Sequence, residues 1–144
     1  MRRSLRVLDV LMWIMVADLT GRGLLALLFW TAPGQLLQIW PAVHGILDSV
    51  TAFQVTLPFL LLPPMIYFAL RFRRHPEAAL AFVAGFFIMH GGLVAVSVMN
   101  SPTYSDHWGH YLFLVEAASV MLLARYTLES RSGPASQARK GKGD

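Results

Sequence analysis

Residues 78–99 read AALAFVAGFFIMHGGLVAVSVM, an unbroken run without one Asp, Glu, Lys or Arg. At about 1.5 Å of rise per residue, such a run as a helix matches the ~30 Å hydrocarbon thickness of a bilayer. It lacks the strict alternation of a barrel strand. A backbone in hydrocarbon must also satisfy its own N–H and C=O groups, so the run reads as a transmembrane helix. Three more apolar stretches flank it, over about residues 5–30, 42–72 and 108–128. The expected fold class is therefore all-α, a four-transmembrane-helix bundle over residues 1–129. A basic tail over 130–144, rich in Gly, Ser and Lys, is expected to be disordered.

Composition leads to the same class. Of 144 residues 56% are hydrophobic and 14% charged, with a mean hydropathy of +0.53. A soluble domain carries about a quarter charged residues, so most of this surface is expected to meet membrane lipid. The net charge of +4 does not imply a nucleic-acid partner, because eleven of the twelve Lys and Arg lie in three segments that flank apolar runs. With no cysteine, disulfides, thiolate catalysis, iron–sulfur clusters and Cys-based zinc sites are excluded. The amino terminus resembles a signal peptide superficially, but Asp9 interrupts its apolar region and no small-x-small cleavage site follows.

Orientation follows from the flanks. Arg2, Arg3 and Arg6 precede the first run; Arg71, Arg73 and Arg74 separate the second from the third; Arg125, Arg131, Arg139, Lys140 and Lys142 close the fourth. The connections 31–41 and 100–107 carry no Lys or Arg. The positive-inside rule then places both termini and the middle loop in the cytoplasm. Pro33-Gly34 is expected to break the first helix, with Leu36 to Trp40 in the outer interface. Pro58, Pro63 and Pro64 are expected to kink the second.

Chemistry rests on the ionisable residues inside these runs, since a charge at mid-membrane is costly and normally turns inward or finds a partner. Asp18 and Arg22 are four apart and share one helical face, as do His44 and Asp48. His90 stands alone in the third run among Gly85, Gly91 and Gly92, which would let a neighbouring helix approach closely. Glu116 has no partner one turn away on its own helix, where Leu112, Phe113, Ser119 and Val120 lie. It needs a partner from another helix, a proton or a ligand. Counted along the helices, Asp18, Arg22, Asp48, His90 and Glu116 all fall in the outer half of the bilayer, which predicts an outward-facing polar pocket. His44, His107 and His110 lie nearer the interface, where an amphipathic ring is comfortable without a function.

Sharper chemistries find less support. No HExxH or comparable spacing exists, and haem ligation by His90 with His44 or His110 would join unequal depths, so neither metal nor cofactor is expected. The leading expectation is a pocket of Asp18, Arg22, Asp48, His90 and Glu116 that binds or moves a small ligand, an ion or a proton, as a homo-oligomer or with a membrane-complex partner. The alternatives are an accessory subunit whose polar groups satisfy a partner's helices, and an enzyme using Glu116 and His90 as acid and base on a lipophilic substrate.

The motifs Trp13 to Asp18 (WIMVAD), Ala32-Pro33-Gly34 with Leu36, and His110-Tyr111 leading to Glu116 resemble a family of small, uncharacterised bacterial four-helix membrane proteins. That resemblance implies the same four-helix topology, a multi-pass place in the bacterial inner membrane, and Asp18 and Glu116 as characteristic positions. It implies no activity.

Overall fold

The computed structural model describes residues 2–39, 52–100 and 107–140. Among them the chain forms five helices and no strand: α1 (Arg2–Thr31), α2 (Pro33–Ile39), α3 (Ala52–Arg71), α4 (Pro76–Asn100) and α5 (His107–Lys140). Three segments are long and apolar enough to cross a membrane, Ser4–Thr31, Pro76–Val96 and Tyr111–Arg131; the apolar part of α3, Thr56–Arg71, is shorter. The expected start of the second helix near Ala42 lies outside the described residues, as do His44 and Asp48.

Local chemistry sets the ends. Thr31 closes α1, and the Ala32 amide still donates to the Leu28 carbonyl at 2.8 Å. Pro33 has no amide proton, so the chain restarts there as α2, as the sequence predicts. After α3, the amides of Arg74 and His75 both donate to the Arg71 carbonyl, at 2.9 and 3.2 Å, and close a tight turn. Pro76 opens α4, and Glu77 in its first turn complements the helix dipole. α3 runs through Pro58, Pro63 and Pro64 without losing its helical assignment.

α1 lies between α3 and α5, and α4 packs along α5. α3 and α4 meet through rings, with the Phe68 and Phe82 centroids 5.1 Å apart. Ion pairs then show which ends coincide. Arg73 in the turn pairs with Asp9 of α1, and Arg131 of α5 pairs with Glu77 of α4 at 2.7 Å. The start of α1, the α3–α4 turn and the later part of α5 therefore share one end of the bundle.

The core is a stripe from each helix: Leu8, Met12, Met15 and Leu19 from α1; Met65 and Ala69 from α3; Ala79, Val83 and Phe86 from α4; Leu112 and Leu123 from α5. The sets from α1, α3 and α4 repeat at three and four residues, the spacing of one helical face, and the two from α5 stand eleven apart, three turns along one face. The outside is no less apolar. Ile88 is 72% exposed, Leu60 71% and Met121 66%. Helices apolar all round suit a lipid environment, and this surface is fit for lipid contact.

One boundary departs from the sequence reading. α5 continues to Lys140, where the helix was expected to end at Leu128 and give way to a disordered tail. Arg125 and Glu129 form an i,i+4 pair across the expected end, and Arg131 is held by Glu77, so polar links carry the helix past its last apolar turn.

Candidate functional site

The buried stripe of α5 runs Leu112, Glu116, Ser119, Leu123 and Thr127, while that of α4 runs Ala79, Val83, Phe86 and His90. Glu116 and His90 thus occupy positions that helical spacing reserves for the core. Where the two stripes meet, His90 Nδ1 and Glu116 Oε1 are 2.8 Å apart, a hydrogen bond between α4 and α5. The side chain of Glu116 is fully enclosed and that of His90 is 11% exposed. Glu116 Oε2 is buried and has no hydrogen-bond partner among the described residues.

Aromatic rings fix the imidazole. Phe113 stacks flat on it, with centroids 4.5 Å apart and planes within 9°, and Phe86 lies 6.0 Å away at 24°. Phe113 is held edge-on by Phe87 at 5.7 Å. Gly91 makes room for this arrangement, since a Cβ there would come 3.5 Å from Phe113 Cε1. Among the described residues Gly85 and Gly92 have nothing within 4 Å of such a Cβ, and of these three glycines it is Gly91 that makes the expected close approach there. The phenylalanines of α4 serve the site: Phe86 and Phe87 pack around His90 and its stacking partner, and Phe82 joins Phe68.

α1 contributes the second polar pair. Arg22 Nε donates to Asp18 Oδ2 at 2.7 Å within the helix, with both groups partly exposed. These two lie on α1, which packs against α5, while His90 and Glu116 meet directly. The fifth expected residue, Asp48, lies outside the described residues. His107 and His110 fall on α5, with their side chains outside the described set. Hydroxyls along the helices turn inward on their own backbone: Ser119 Oγ donates to the Val115 carbonyl at 2.7 Å, and Thr127 Oγ1 to that of Leu123 at 2.8 Å. Such back-bonding satisfies a hydroxyl in an apolar interior without a partner helix.

A carboxyl hydrogen-bonded to an imidazole sets two proton acceptors around one proton and holds the ring's orientation. Among the described residues no three His, Asp or Glu converge as a metal site would require. Sequence reasoning missed the role of Phe113 and the pairing of Asp9 with Arg73. The first was signalled by Phe113 lying one turn from Glu116, and the second by an acidic residue facing an arginine-rich turn. Comparison with protein-family models, curated proteins and solved structures finds no match for this chain.

Proposed function

We propose that this is a multi-pass membrane protein of four spans with both termini cytoplasmic, and that its interior polar site binds or moves a small ligand, ion or proton. Glu116 carries the reading: a carboxyl fully enclosed among apolar helices, with one oxygen on His90 and the other without a hydrogen-bond partner. An ionisable group costs several kcal/mol in such surroundings, as an order of magnitude, which makes it a functional group by default. Asp18 and Arg22 join it from α1, which packs against the helix of Glu116, and Asp48 joins it on sequence grounds. The twenty residues of α3 extend about 30 Å, enough for a fourth span. The shared end of α1, the α3–α4 turn and α5 supports both termini lying on one side, and the arginines there support the cytoplasmic side. The resemblance to small bacterial proteins supports a place in the inner membrane.

The test compares wild type with Glu116→Gln, which keeps size and hydrogen-bonding capacity. Native mass spectrometry of gently purified protein reads retained molecules, and vesicles enclosing a pH-sensitive dye read proton flux. An adduct or a flux that the substitution abolishes supports the site. Empty spectra and equal fluxes from both proteins would sink the reading.

A further inference from the structure

We propose that the species this site takes up is a single proton, delivered to the enclosed Glu116 through the ring of His90. The inference rests on the functional reading above and names its ligand. Three observations carry it: the 2.8 Å contact between Nδ1 and Oε1, the unequal enclosure of the two partners, and the unpartnered Oε2.

Charge accounting comes first. Asp18 and Arg22 form an ion pair at 2.7 Å. His90 and Glu116 form a pair of their own at 2.8 Å. With a neutral ring donating its Nδ1 proton to a carboxylate, the pair carries one negative charge. One further proton makes it neutral, whether written as imidazolium with carboxylate or as imidazole with carboxylic acid. Low-dielectric surroundings favour the neutral count, so the site has a place for one proton. From α1 the charged groups near the pair are Asp18 and Arg22, and from α4 it is His90 itself. Among the described residues of α3, the ionisable groups Tyr67 and Arg71 lie at the opposite end, while Asp48 and His44 fall outside the described set.

The route follows from enclosure. Glu116 is fully shut in, whereas the His90 side chain keeps 11% of its surface, so the ring is the pair's contact with its surroundings. Uptake forms a bond from the incoming proton to Nε2, breaks Nδ1–H and forms O–H on Oε1. One proton is gained, the ring ends neutral in its other tautomer, and release reverses the steps. Phe113 lying flat on the ring holds Nδ1 on the carboxyl throughout. A metal ion would ask for several donors, and among the described residues no third His, Asp or Glu joins the pair.

The experiment is infrared difference spectroscopy of the full chain in lipid nanodiscs, titrated with pH and repeated in heavy water. Expected is a carboxylic-acid C=O band that appears reversibly on acidification and is missing in Glu116→Gln. In His90→Phe, or in His90→Gln should the first not fold, the band's exchange with heavy water slows by roughly a hundredfold, the lower end of what a positioned acid–base group contributes. A spectrum that Glu116→Gln leaves unchanged, or exchange as fast without His90, overturns the proposal. So does an adduct of another ligand lost in Glu116→Gln with no titrating band, which leaves the functional reading standing. A titrating band without adduct or flux upholds the proton assignment and overturns the part of the functional reading that has the site move what it binds.

Discussion

The bundle uses the same chemistry at two places with opposite consequences. At the end shared by α1, the α3–α4 turn and α5, carboxylates meet arginines in the open: Asp9 with Arg73, Glu129 with Arg125, and Glu77 with Arg131, the last pair 61% and 64% exposed. Within the bundle, Glu116 meets His90 with almost no exposure. Water and counterions screen the exposed pairs, so each is worth about 0–1 kcal/mol. The enclosed pair has lost its solvation and depends on its partner. Burial, and not the presence of a charge pair, therefore decides which contact the fold depends on.

The largest expected effect breaks the enclosed pair. His90→Leu keeps the apolar volume but leaves Glu116 without its partner, and should cost about 3–5 kcal/mol in reversible unfolding from lipid–detergent micelles. The double change of His90→Leu with Glu116→Leu should recover most of that loss, because two matched apolar groups leave no orphan. If the single substitution costs no more than an exposed arginine does, the contrast between the two places collapses.

A second substitution sharpens the contrast at the ion-paired end itself. Phe72, 1% exposed, stacks edge-on against Tyr126 at 6.2 Å directly beneath Arg73. Phe72→Ala should cost about 2 kcal/mol. That is below the usual range for a soluble core, since in lipid the transfer contribution falls away and the lost packing remains. Arg73→Ala next to it should cost less. Thermal unfolding of both variants in one detergent would rank them, and the opposite order would mean that ion pairs hold this end together.

The sequence made much of this legible, for reasons that also mark where it stopped. The run at 78–99 identified α4 because it holds no Asp, Glu, Lys or Arg, and the break at Pro33 followed from a missing amide proton. His90 and Glu116 stood out because an ionisable group within an apolar run is conspicuous. That they meet was not legible. α4 and α5 are apolar on every side, so no polar face tells which stripe turns inward, and pairing depends on helix rotation. The same blindness left Phe86 and Phe87 indistinguishable from lipid-facing phenylalanines. At the other end Asp9 was read as an interruption of an apolar run. Its meaning depends on Arg73, sixty-four residues away. α5 outran its expected end because its continuation past Leu128 is polar and is linked by Glu129 to Arg125 and by Arg131 to Glu77, which apolar run length cannot register.

The smallest expected effect tests the exposed side of the comparison. Arg131→Gln removes the cation that pairs with Glu77 at 2.7 Å, while keeping a long side chain with hydrogen-bonding capacity. The pair joins the start of α4 to α5 but stands mostly in solvent, so its loss should cost about 0.2–1 kcal/mol. The difference from wild type should shrink as salt is raised, because screening shortens the reach of exposed charges. Glu116 offers the control: its bond to His90 is enclosed, and the cost of His90→Leu should hardly respond to salt. Unfolding both variants at low and high ionic strength yields four values. A salt-insensitive cost at Arg131 would mean that the exposed pair is shielded in the membrane, by lipid headgroups or by another chain.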